Sequence, residues 1–334
     1  MMLQPWPTGP GFELSGLGEL DDFRLLPGAP ARESWLVLDR PEDTRVWRLG
    51  EAARGEGVEV TGLGELQPGW TRRLVFIAGA PFLAAVPPTL PASGLQLQVA
   101  AIDPRSLTFG PWVVLDAGQP CLASADTTYC PTEPREAWVE VLDVTGAEGA
   151  GGAATLLLGM RDLVPPGELP EYAPQFTLLE LDVVGPDATL TLTRQPNSSA
   201  PDDEIEARLR GQLAEDETYV YILIQLVTYP EGAPKRFNLF TYEHASGNLW
   251  NLQYTDSLVT VDLMQVGAYP MLGRLWGWSW YLMPVTPRRA PPDYLDTIEL
   301  TSAARVTSAG REQILVVPES GSAMRVVAGC APPL

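Results

Sequence analysis

Basic charge is scarce in this chain. Its 334 residues carry 22 lysines and arginines against 42 aspartates and glutamates, a net charge of −20, and Lys235 is the one lysine. Affinity for nucleic acid depends on cations that displace counterions from phosphate, so this balance excludes a DNA- or RNA-binding role. It argues equally against an anionic membrane surface. No stretch reaches 18 apolar residues, so no membrane-inserted helix is expected. The opening MMLQPWPTGPGFELSG has neither a basic n-region nor an apolar h-region. Without a signal peptide, the reading favours cytoplasmic synthesis, with assembly into a virion, over secretion.

Histidine and cysteine are almost as rare. His244 is the one histidine, and the three cysteines are Cys121, Cys130 and Cys330. None of the usual ligand spacings occurs, so no zinc site or other metal is expected. Cys121 and Cys130 bracket CLASADTTYC, a candidate local disulfide that would contribute about 2–3 kcal/mol in an oxidising setting. His244 lies in TYEHASGN and reads as a solvated turn residue. No GxSxG stretch offers a nucleophile elbow. No GxGxxG follows a strand and opens a helix, so no dinucleotide is expected, nor any other cofactor.

Proline, glycine and apolar residues are abundant. Thirty-three prolines and 31 glycines punctuate a chain that is 45% apolar and 19% charged, enough to bury a large core. Between them lie short β-branched or aromatic runs such as WLVLDR, RLVFIAG, FTLLELDVV and YVYILIQLVTY, which read as strands. APDDEIEARLRGQLAED alone reads as helix, over about 202–215. Its acids crowd the first turn, and Ile205, Leu209 and Leu213 recur at i, i+4 and i+8.

Strand, polar turn and strand recur at residues 36–50, 99–116, 178–194, 239–255 and 314–329. This rhythm resembles the outer hairpin of β-propeller blades, small antiparallel sheets repeated radially. The resemblance is one of rhythm, since no WD series or kelch double glycine recurs. It implies an all-β fold, a single β-propeller of about five to seven blades across 1–334. Blade units are expected near 19–66, 70–118, 135–196, 217–266 and 271–329. The alternative is a pair of β-sandwich domains dividing near 201–217.

RLWGWSWYLM, residues 274–283, places Trp276, Trp278 and Trp280 at alternate positions, followed by Tyr281. As one strand it would put the three indoles on one face. Each tryptophan buries roughly 150–250 Å², so exposing three forgoes several kcal/mol apiece. Core packing is therefore the first reading of the ladder. These residues and Trp6 are also the candidates for an interaction surface. The Pro-rich edges 1–11, 81–94, 163–175 and 284–293 are where neighbours would dock.

No catalytic residue can be assigned from spacing. The functional expectation is a non-enzymatic structural or interaction protein, a subunit of a larger assembly such as a phage virion or tail, with protein partners. Two alternatives remain. One is a secreted or surface carbohydrate-binding protein. The other is a propeller glycosidase working with paired carboxylates, since some propellers are glycosidases. Asp21, Asp22, Asp143, Asp162, Asp202, Asp203 and Asp262 are available for that chemistry.

Overall fold

A computed structural model describes residues 12–15, 23–27, 34–40, 43–49, 55–62, 69–89, 94–118, 122–123, 128–129, 137–146, 153–162, 175–184, 189–194, 198–199, 208–216, 218–227, 234–251, 261–266, 269–276, 279–285, 298–301, 305–309, 313–317 and 324–327. Among them every regular element is a strand. The strands follow one another as antiparallel meanders of about four, the blade unit of a β-propeller. The chain is an all-β protein of that class.

Six meanders are present among the described residues. The first runs Phe23–Pro27, Ser34–Asp39, Thr44–Leu49 and Val58–Glu59. The second runs Thr71–Ile77, Ala80–Val86, Leu95–Asp103 and Val113–Gly118. The third comprises Ala137–Gly146, Ala154–Asp162, Gln175–Val184 and Thr189–Arg194. The fourth is Arg208–Glu215, Tyr219–Val227, Pro234–Glu243 and Leu249–Asn251. The fifth is Val261–Val266, Tyr269–Trp276, Ser279–Pro284 and Ile298–Thr301. In the sixth, Arg305–Ala309, Gln313–Val317 and Met324–Val327 are completed by Phe12–Ser15 from the other end of the sequence. Leu25 and Ala309 link the first and sixth in parallel. All five hairpins expected from the sequence rhythm are found among these strands.

Two compact units group these residues: Met1–Val60 with Leu213–Leu223 and Leu239–Leu334, and Thr61–Gln212 with Ile224–Asn238. The core of the second is aliphatic. Val75, Val99, Leu156, Leu158 and Leu179 are all fully buried in one cluster drawn from the second and third meanders. Val141 N–H donates to Thr71 Oγ1 at 3.3 Å and Val139 N–H to the Pro88 carbonyl at 2.9 Å, fastening the first strand of the third meander to the first strand of the second and to the segment after its second strand. In the first unit the buried indole of Trp35 lies under the Arg48 guanidinium, 5.7 Å from the ring centroid.

The expected helix is corrected. Arg208–Glu215 is a strand, and 201–207 lie outside the described residues. Leu209 and Leu213 are four apart, a spacing that fits one face of a helix and one face of a strand alike. Burial separates the two, since Leu209, Gly211 and Leu213 are buried while Arg210 and Gln212 between them are not. Gly211 also needs to be glycine. A Cβ there would run into Leu157 Cδ2 and come within 3.0 Å of Leu142 Cδ1.

Candidate functional site

The sequence candidates are placed as follows. Trp276 ends one strand and Trp280 lies in the next, because 274–283 is a hairpin. Trp276 pairs with Ser279 and Leu275 with Trp280. Positions 276 and 280 therefore belong to opposite faces of the sheet, and the single-strand ladder is corrected. The physical reason is the register: with Trp276 opposite Ser279 the chain has reversed, and alternation along one strand does not carry across the reversal. Tyr281 pairs with Arg274 and Glu299. Trp6, Trp278, Cys121 and Cys130 lie outside the described residues. So do Asp21, Asp22, Asp202 and Asp203.

Of the remaining acids, Asp143 stands opposite Leu157 and Asp162 opposite Ala137 in the same pair of strands. Five residues of extended chain separate positions 157 and 162, about 16 Å at ~3.3 Å per residue. Paired glycosidase carboxylates lie about 5–9.5 Å apart, so these two are not such a pair. Asp262 is on the first strand of the fifth meander, opposite Gly273. No group of three or more His, Cys, Asp or Glu side chains is placed to hold a metal ion among the described residues.

The structure does bring acids and aromatic rings together elsewhere, at one end of the fourth meander. Two turns meet there. The Asp216 turn enters the strand Tyr219–Val227, and the turn from Glu243 leads into Leu249–Asn251. Asp216 Oδ1 accepts from the backbone N–H groups of Thr218 and Tyr219, each at 2.8 Å. An Asp at that point closes a local turn. Its other oxygen, Oδ2, accepts from the Tyr221 hydroxyl at 2.8 Å. Tyr221 is buried, and burial, with the Asp216 hydrogen bond second, pushes its hydroxyl well above the usual tyrosine value.

The second turn is tied to the first by the His244 N–H, which donates to the Thr218 carbonyl at 3.1 Å. Within it Gly247 takes a φ of +67°, the left-handed region glycine tolerates, and its N–H donates to the Glu243 carbonyl at 2.9 Å. Ser246 Oγ donates to Glu243 Oε2 at 2.5 Å, and the Tyr219 hydroxyl reaches Glu243 Oε1 at 3.4 Å. Tyr219 and Tyr221, two apart on one strand, have ring centroids 6.3 Å apart. Trp250 meets Tyr219 edge-on at 6.3 Å. The strand between them carries Thr241 opposite Trp250, a small, fully buried residue. Tyr219, Trp250, Asp216 and Glu243 are half-buried, while His244 is exposed and stands edge-on to Tyr242.

The arrangement is two neighbouring tyrosines, each with its hydroxyl on a different carboxylate, beside a half-buried indole. It offers ring faces for stacking and carboxylates for hydrogen bonding or proton transfer. The sequence alone reads His244 in the EHASGN turn as solvated and does not single out Asp216 or Glu243. The signal that was there is the acid ahead of Tyr-x-Tyr, which puts both rings on one side of a strand.

No protein-family model matches this chain. No curated protein matches it in sequence. Among solved structures it is similar to the α-L-arabinofuranosidase Arb93A from Fusarium graminearum in complex with an iminosugar inhibitor, at 8% identity and a TM-score of 0.48 over 97% of this chain and 98% of that one. The GH93 α-L-arabinofuranosidase of the same organism with arabinobiose gives 9% and 0.49, again over 97% and 98%. The Cps50 (Swd1) β-propeller domain of Myceliophteria thermophila gives 8% and 0.37 over 93% and 98%. The expectation of a non-enzymatic assembly subunit, a virion or tail part, is corrected by these findings, since the first two of these structures are of glycosidases.

Proposed function

We propose that this chain is a glycoside-hydrolysing β-propeller in which a sugar stacks on Tyr219 and Trp250 and the carboxylates of Asp216 and Glu243 act on its glycosidic bond. The observation that carries this reading is the pairing of two carboxylates through two adjacent tyrosines, Tyr221 on Asp216 and Tyr219 on Glu243. Glycoside hydrolysis uses two acids in different roles, and the partners of these two differ in kind. Two of the three donors on Asp216 are backbone N–H groups, which can only donate, so Asp216 suits the role of a fixed anion. The partners of Glu243 are hydroxyls, which can donate to a carboxylate or accept from a carboxylic acid. Glu243 therefore suits the group that gives its proton to the leaving oxygen as the anomeric C–O bond breaks and takes one from the incoming water.

The test is turnover of a panel of aryl furanosides and pyranosides by the full chain. Hydrolysis by the wild type and a loss of about 10²–10⁴ in kcat for Glu243→Gln would support the reading. No turnover of any member, or an undiminished Glu243→Gln variant, would overturn it.

A further inference from the structure

The acids and rings at the end of the fourth meander share one electrostatic sign, and that sign bears on which sugar fits there. Asp216 accepts from the N–H groups of Thr218 and Tyr219 and from the Tyr221 hydroxyl. Glu243 accepts from Ser246 Oγ and from the Tyr219 hydroxyl. Tyr219 thus spans the two acids, with its N–H on Asp216 and its hydroxyl on Glu243. The face of an aromatic ring adds negative potential of its own.

The two half-buried rings are not coplanar. Tyr219 and Trp250 are inclined by 62°, with centroids 6.3 Å apart. A flat sugar face lies on one of them, and the other stands as a wall at the sugar's rim, where its substituents project. Since the Tyr219 hydroxyl reaches Glu243, a substituent at that rim has a ring and a carboxylate for neighbours. A neutral hydroxyl group can hydrogen-bond to the carboxylate but gains little from the ring. An ammonium gains from both, through a charge-assisted hydrogen bond and a cation–π contact. The carboxylate of a uronic acid would meet its own sign. The rest of the chain acts in the same direction, because a net charge of −20 concentrates cations near the surface and depletes anions.

Resting on the glycoside reading, we propose that the sugar bears a protonated amine, which makes the substrate an amino-sugar glycoside in preference to a neutral or uronic one. The hydrolytic step is unchanged by this. Glycoside and water remain the only reactants, and the ammonium takes no part in bond breaking.

Calorimetric titration of the full chain with glucosamine, glucose and glucuronate at pH 7 tests the proposal, since the three sugars differ chiefly in charge. Glucosamine should bind about tenfold tighter than glucose, and glucuronate more weakly than either. The preference should persist in about 0.5 M sodium chloride, which screens the net charge of the chain far more than a direct contact. It should shrink in Glu243→Gln and in Asp216→Asn, each of which removes a charge and keeps the side-chain shape. Should one variant fail to fold, the other carries the comparison. Equal binding of glucosamine and glucose would overturn the proposal, as would binding of none of the three. So would a preference abolished by salt or unchanged in the variants. Equal binding together with turnover of neutral aryl glycosides would remove the amine and leave the glycoside reading standing. Preference for glucosamine in a chain that hydrolyses no glycoside would remove hydrolysis and leave amine recognition standing.

Discussion

The middle of the third meander and the end of the fourth are built by opposite rules. In the third, Leu156, Leu157 and Leu158 on one strand face Leu179, Leu178 and Thr177 on the next, and all six positions are buried. Stability there comes from removing apolar area from water, and every position depends on shape. At the end of the fourth meander the rings of Tyr219 and Trp250 stay half-buried, and two carboxylates hold the turns by hydrogen bonds. Stability there depends on directed contacts between few groups. The comparison teaches that the first region tolerates little change in volume, whereas the second tolerates little change in which atom donates and which accepts.

Breaking the first rule should have the largest effect. Leu179→Ala removes a fully buried side chain from the aliphatic cluster and should cost about 2–5 kcal/mol, read as a lower urea midpoint. The opposite error, overpacking, should show at Gly211, where an added methyl group meets Leu157 and Leu142. Gly211→Ala should cost about 1–3 kcal/mol, even though alanine ordinarily strengthens a strand or helix relative to glycine. A neutral or stabilising result at Gly211 would mean that this packing has room to spare.

Much of the first region was legible in the sequence and little of the second. The aliphatic runs, the turn residues and the hairpin rhythm reported the all-β class, because strand periodicity and turn chemistry are local. Two local signals misled. Leu209 and Leu213 satisfy both helix and strand spacing, and the alternating burial of 209–213 decides between them. The tryptophans of RLWGWSWYLM alternate perfectly, yet the chain reverses between Trp276 and Ser279. The cluster at Asp216 and Glu243 could not be read at all. Its members are 27 positions apart, and what joins them is the sheet order that sets Tyr219–Val227 beside Pro234–Glu243.

Breaking the second rule should have a smaller effect on stability. In Asp216→Asn the side-chain oxygen can still accept from the N–H groups of Thr218 and Tyr219, so the turn should persist. The amide nitrogen that replaces Oδ2 cannot accept from the Tyr221 hydroxyl, and a buried donor loses its partner. The cost should be about 1–3 kcal/mol. Tyr221→Phe removes donor and need together, so it should cost less than Asp216→Asn. The double variant should then be no worse than Asp216→Asn alone. Independent, additive losses in that cycle would show that the hydroxyl and the carboxylate do not act as a pair.

The smallest effect is a pH dependence confined to the alkaline side. Tyr221 is raised above its ordinary value of 10.0, first by burial and then by the Asp216 carboxylate. In the unfolded chain the same hydroxyl loses its proton near that ordinary value, while in the folded protein it keeps it. Above pH 10 the folded state therefore holds one proton more than the unfolded state, and stability falls as pH rises. It should fall by at most about 1.4 kcal/mol per pH unit from this group. Below pH 10 Tyr221 is neutral in both states and should contribute no slope. Urea unfolding between pH 8 and about 11 measures this, with Tyr221→Phe as the control that should flatten the alkaline limb. An equally steep limb in Tyr221→Phe would move the effect to other tyrosines, and the buried hydroxyl at the end of the fourth meander would then not be what ties its turns to pH.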